Sequence, residues 1–265
     1  MTRLPILFVA VVCCAVVSFA ITTPQRLANA SPTKSKAYEN PQPRRGSDEI
    51  LIDHFGYRLS FNPTTLCPNW VAWELTKEET NAIVPRRDQV DGDPKWPNRL
   101  RLKSNAYKGS GWSRGHMCPA ADMRWDERAQ TACFYMSNMC PQDQSLNSGS
   151  WAKLEQACRR WAQREGNIYI VCGPVFKPSG RPATINSGRK IRIPDGFFKA
   201  VLCLKPGREK AIGFYYDNNA VKQNMQHAAM SVVALEQMTG FDFFYQLPDD
   251  VEQRLESSYN FKLWQ

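Results

Sequence analysis

The chain has 265 residues, 43% apolar and 22% charged, which excludes a peptide too short or too polar to bury a core. Its 34 Lys and Arg against 25 Asp and Glu leave a formal charge of +9. That excess points to polyanionic partners such as nucleic acid, acidic glycans or anionic surfaces, and to nothing finer.

The first twenty residues stand apart. After the basic start MTR, the run LPILFVAVVCCAVVSFA carries no charge, and Ser18-Phe19-Ala20 puts small residues where signal peptidases read. Residues 1–20 are therefore expected to be a signal peptide, with an uncleaved anchor as the competing reading, because the run nears the roughly 20 residues that span a bilayer. The protein is expected to be exported, periplasmic or secreted, with no stable membrane partner once the leader is removed. Residues 21–47, rich in Pro, Ser, Lys and Asn, cannot form a core and read as a flexible linker.

From residue 48 to 265 the pattern is globular. LIDHFGYRLSFN has the character of a hairpin and NWVAWELT that of a partly buried strand. ACFYMSNM, NIYIVCGPVF, GFFKAVLCLK and AIGFYYDN are aromatic and β-branched runs bounded by Gly, Pro and Asn, and read as core strands. NSGSWAKLEQACRRWAQREGN is expected to be a helix with Trp151, Leu154, Cys158 and Trp161 inward, Ser148 or Ser150 as cap and Gly166 as stop. NAVKQNMQHAAMSVVALEQMTG reads as a second helix, with Met225, Ala229, Val232 and Leu235 inward and Gly240 as stop, and LPDDVEQRLES as a short third. The sum is one α+β domain, a central, mostly antiparallel sheet flanked by helices.

Seven cysteines lie outside the leader, and no C-x-x-C pair supports a thiolate zinc site. Cys133, Cys172 and Cys203 sit in apolar runs and read as buried thiols, whereas Cys118, Cys140 and Cys158 are open to bridging.

The chemistry concentrates around GWSRGHMCPAADM, which holds one of three histidines, and SNMCPQDQSLNSGSWAKLE downstream. Asn147 stands at the mouth of the expected helix, and Glu155 lies eight residues on, about two turns along the same side. An amide oxygen and a carboxylate so placed suit a hydrated hard cation such as magnesium, which gives up its water reluctantly. His116 adds a base for neutral pH, and arginines add bidentate phosphate contacts. The parts suit hydrolysis of a phosphodiester by water. Taken singly, each has a plainer reading: His116 as a structural histidine, Asn147 as a helix cap, Glu155 as a surface partner of Arg159. His54 and His227 have no such surroundings.

SRGHMCPAADM followed by FYMSNMCPQDQSLNSGSWAKLE resembles the signature of the DNA/RNA non-specific endonuclease family, the endonuclease G-like group of the ββα-metal superfamily. The likeness includes the nine-residue step from Asn138 to Asn147 and the eight-residue step to Glu155, and extends to IYIVCGPVF, IPDGFFKAVL and LEQMTGFDFFYQLPDDVE. The resemblance implies a Mg2+-dependent endonuclease, with Mn2+ as a substitute, acting on DNA and RNA and leaving 5′-phosphate ends. His116 would be the general base and Asn147 the sole direct protein ligand of the metal. Glu155 would orient the metal's waters, Asn138 would support the site near the histidine, and Arg114 would position the phosphate or its loop. A further phosphate-binding arginine is expected in VPRRDQVDGDP, either Arg86 or Arg87, with Arg86 preferred for its four-residue spacing to Val90. Homodimerisation is left open. One position departs from the signature: Ser113 stands where the family usually has aspartate, so no negative charge is supplied beside Arg114 and His116. A second reading, a catalytically weak basic nucleic-acid-binding protein that keeps the fold, is disfavoured because His116 and Asn147 are both present.

Overall fold

The structure, a computed structural model, describes residues 37–42, 49–178, 183–186 and 188–265. The expected signal peptide lies outside the described residues, as does most of the expected linker. The stretch 37–42, however, is docked on the domain. The Gln42 N–H donates to the Asp242 carbonyl (2.9 Å), Gln246 Nε2 donates to the carbonyls of Ala37 and Asn40, and the Tyr38 ring meets that of Tyr169 edge-on. One aromatic side chain anchors a segment whose average composition reads as tether.

Eleven strands and six α-helices are described. β1 (Ile50–Asp53) and β2 (Arg58–Asn62) form the expected hairpin, followed by β3 (Cys67–Thr76). β4 (Ser113–His116), α1 (Glu127–Cys133), β5 (Met139–Gln142), α2 (Gln144–Leu146) and α3 (Ala152–Glu165) come next. The chain continues through β6 (Asn167–Val175), β7 (Thr184–Asn186), β8 (Lys190–Arg192), β9 (Gly196–Cys203) and β10 (Lys210–Asp217). It ends with α4 (Met225–Ala228), β11 (Ala229–Met230), α5 (Val232–Thr239) and α6 (Asp249–Glu256). The main sheet runs β1-β2-β3-β6-β9-β10-β11 with every neighbour antiparallel, while β4-β5 and β7-β8 are separate ribbons. This is the α+β architecture expected from the sequence.

Both faces of the sheet are covered, so its central strands lack polar alternation. On β9, Phe197, Val201 and Cys203 face the core shared with α3, and Phe198, Ala200 and Leu202 face the layer beneath α5 and α6. Burial on two sides turns an alternating pattern into a continuous apolar run. Lys199 is the one charge in that run, and its position in the strand's alternation places it on the α3 side.

Three expectations about elements are corrected. ACFYMSNM is not a strand: it ends α1 and forms a 3-10 turn (Met136–Asn138), and only Met139 onward pairs in β5. Its residues are buried almost throughout, and an all-buried run gives no periodicity to separate helix from strand. The second expected helix is broken into α4, β11 and α5. Asn224 caps α4, Ser231 caps α5, and Met230 between them pairs with Gly213. The first expected helix starts earlier than Ser148 or Ser150. Asp143 accepts from the N–H groups of Ser145 and Leu146, and α2 passes through a π-helical turn (Asn147–Trp151) into α3. Gly166, at φ 100°, and Gly240, at φ 68°, end α3 and α5 as expected. All seven cysteines among the described residues are buried free thiols, so Cys118, Cys140 and Cys158 are not bridged.

Candidate active site

The β4–β5 ribbon and the start of the α2–α3 helix enclose one cavity of about 300 Å³, lined by Arg86, Arg114, His116, Asn147 and Glu155 among others. The ribbon register sets Gly115 opposite Cys140 and His116 opposite Met139. Gly115 is needed for close approach: a Cβ there would lie 2.6 Å from Gln142 Cβ.

His116 stands edge-on to the Phe134 ring, with centroids 4.8 Å apart, and its Nε2 is buried with no hydrogen-bond partner among the described residues. Burial, then the charges of Arg86 and Arg114, pushes its pKa down to about 3. The imidazole is therefore neutral, the form that accepts a proton. Asn138 does not reach the cavity. It is fully buried, donates to the carbonyls of Cys118 (2.9 Å) and Cys133 (2.8 Å) and accepts from the Cys118 N–H (2.9 Å). It clamps the backbone two residues beyond His116.

Asn147 opens the π-helical turn, and its Nδ2 donates to Ser113 Oγ (3.3 Å). Ser113 Oγ in turn donates to the Gln142 carbonyl (2.7 Å). The serine hydroxyl thus accepts from one neighbour and donates to the other, which fixes the amide with Nδ2 toward Ser113. Asn147 Oδ1 makes no hydrogen bond with a described residue. Glu155 is half-buried, and burial pushes its pKa up to about 7, opposed by Lys199 and then Arg159 and raised further by Asp122. No group of three or more His, Cys, Asp or Glu among the described residues is arranged to hold a metal. A cation here would take most of its shell from water, with the Asn147 oxygen as ligand and Glu155 facing the waters, which fits a hard, strongly hydrated ion.

The two candidate arginines separate. Arg86 lines the cavity with its guanidinium 5.2 Å from the Phe134 ring centre. Arg87 is committed elsewhere, to Asp91 (2.6 Å) and the Gln89 carbonyl (3.0 Å). Arg114 is exposed and donates to the Ser104 carbonyl (2.9 Å) at the cavity's edge.

Residues 33–250 match the DNA/RNA non-specific endonuclease family. The chain belongs to that family. A nuclease from Nostoc sp. is 31% identical over 221 residues, covering 79% of this chain and 78% of that protein. The mitochondrial nuclease EXOG of Mus musculus is 28% identical over 237 residues, 78% of this chain. The chain spans only 63% of that protein and 59% of its Xenopus laevis counterpart. Among solved structures, a chain of the EndoG/EndoGI complex superposes with a TM-score of 0.70 at 25% identity, covering 75% of this chain and 86% of that one.

Beneath this cavity lies a charged layer drawn from distant segments of the chain. Arg159 pairs with the buried Asp122 (2.7 Å) rather than with Glu155, and the Trp73 indole N–H donates to the same carboxylate (3.2 Å). Lys199 Nζ lies 4.9 Å from the ring centre of Trp73 and 4.7 Å from that of Trp151, a buried cation between two aromatic faces. The available signals were Asp122 inside the quoted PAADM, Arg159 four residues after Glu155, and Lys199 as the lone charge in GFFKAVLC.

Proposed function

We propose that the protein is a metal-assisted nuclease that hydrolyses phosphodiesters of DNA and RNA internally, using His116 as the base. One observation carries the reading: a single cavity joins a neutral histidine whose Nε2 is buried, an amide oxygen without a partner among the described residues, a carboxylate and two arginines. Arg86 and Arg114 hold the non-bridging oxygens of the scissile phosphate. His116 takes a proton from the attacking water as its oxygen bonds to phosphorus. The bond to the 3′ oxygen breaks, and that oxygen takes a proton from solvent, leaving a 5′-phosphate and a 3′-hydroxyl. A magnesium ion beside Asn147 would supply charge stabilisation for the phosphate and the departing oxygen. Contacts are to the backbone of the substrate, so selectivity for base sequence is weak.

The test is digestion of plasmid, single-stranded DNA and RNA with magnesium and then with EDTA. Cleavage of all three, abolished by EDTA, is expected; intact substrates under both conditions overturn the proposal. We also propose export, from the apolar leader and its Ser18-Phe19-Ala20 site. A mature N terminus at Ile21 in the exported fraction supports this, and confinement of the chain to the cytoplasm rejects it.

A further inference from the structure

Two more cavities continue the reaction cavity along one side. The first, about 470 Å³, shares Arg114 with it and is lined by Trp112, Lys108 and Asn105. The second, about 610 Å³, shares Ser104 and Asn105 with the first and adds Arg101 and Lys103. Each is larger than the reaction cavity and falls within the size range of ligand sites rather than of single waters. Arg114 marks the junction, because its guanidinium is drawn to the carbonyl of Ser104.

The lining has one sign of charge. No Asp or Glu lines either outer cavity, whereas Arg101, Lys103, Lys108 and Arg114 are all exposed there. None of the four pairs with a carboxylate among the described residues. By contrast Arg87, Arg128, Arg159 and Lys210 each have one within 3 Å. Trp112 adds a half-buried aromatic side chain to the lining of the inner of the two cavities. Unpaired cations beside an aromatic platform are what an unstacked polynucleotide strand needs: phosphates meet the cations, and a base of any identity stacks on the ring.

We infer that residues 98–114 form a strand-binding groove that holds nucleotides flanking the scissile phosphate, with Trp112 stacking a base and Lys103 and Lys108 contacting phosphates. The inference rests on the proposed nuclease reading and gives its substrate an extended, locally single-stranded form.

The test uses the full chain in EDTA, so that binding is measured without turnover. Binding of a labelled oligothymidylate is followed by anisotropy between about 50 and 200 mM salt. Each lost phosphate contact on a single strand removes about 0.7 from the log–log salt slope, so Lys103→Ala/Lys108→Ala is expected to flatten it by about 1.4. Both lysines are exposed, so the double variant tests the groove without disturbing the core. Trp112→Ala is expected to weaken single-strand binding about tenfold, with Trp112→Phe restoring most of it. An unchanged slope in the lysine variant, or equal binding by Trp112→Ala and Trp112→Phe, overturns the inference. Plasmid digestion with magnesium is run in parallel. Loss of the slope with no digestion keeps the groove and rejects the nuclease; digestion with an unchanged slope does the reverse.

Discussion

At the scale of single residues, the site pairs a histidine kept neutral with a carboxylate that holds its proton unusually tightly. The pKa of His116 is lowered, so the free protein keeps a usable base far below the ordinary histidine range. A phosphodiester bound between Arg86 and Arg114, as proposed, would offset the two charges that repel a proton and so strengthen the base. His116→Ala is expected to lower kcat by about 10²- to 10⁴-fold with oligonucleotide affinity retained; an unchanged kcat would mean another base. Glu155 behaves in the opposite sense. Its pKa is raised to about 7, so below that pH it carries a proton, and a cation competes with that proton for the carboxylate. The acid limb of kcat/KM should therefore lie near pH 7 at low magnesium and move down as magnesium rises. In Glu155→Gln that dependence on metal should disappear. A limb indifferent to metal concentration counts against the role given to Glu155.

Ser113 has a role that an aspartate could not fill in full. A carboxylate can accept from Asn147 Nδ2, but it has no proton to give the Gln142 carbonyl. Alanine offers neither bond and leaves the Asn147 amide free to turn over. Magnesium titrations of activity should rank the unaltered protein first, Ser113→Asp second and Ser113→Ala last. Ser113→Ala matching the unaltered protein would show that the serine does not hold the amide.

At the scale of elements, the π-helical turn changes what the eight-residue step from Asn147 to Glu155 means. In an uninterrupted α-helix eight residues leave the two side chains about 80° apart around the axis. The wider turn at Asn147–Trp151 carries more residues per revolution and takes up part of that offset, bringing both toward one cavity. The ribbon beside it depends on Gly115. Gly115→Ala is expected to lower both Tm and kcat, with partial recovery when Gln142→Gly removes the obstructing side chain together with its Cβ. Far from the site, α5 and α6 bring carboxyl groups together: burial and the nearby Glu236, Glu252 and Asp242 push Glu256 up to about 9. The folded chain then holds a proton that the unfolded chain has released, so stability from this group falls as pH rises from about 4.5 to about 9. Glu256→Gln should raise Tm at pH 8, by about 2–4 °C for each kcal/mol relieved, and change little at pH 5. A larger gain at pH 5 than at pH 8 would contradict this.

At the scale of the molecule, much of the site and the sheet was legible from local pattern, and the failures have common physical causes. His116, Asn147 and Glu155 were visible because their spacing is set by one ribbon and one helix, both continuous in sequence. Arg86 and Arg87 could not be separated with certainty, since their difference lies in a contact with Asp91 and a turn of the loop against Phe134. The run ACFYMSNM hid its helix because burial on all sides erases periodicity, and the break at Met230 hid because a two-residue strand leaves no pattern. Asp122, Arg159 and Lys199 come from three distant segments, and only the folded chain sets them beneath Glu155.

The free thiols have a practical consequence. All seven are sealed in the interior, and burial pushes Cys158 up to about 12 and Cys172 up to about 11, far from the thiolate form that reacts. A thiol-directed reagent reaches these seven only when the fold opens, so the rate at which they are labelled becomes a clock for the domain's unfolding.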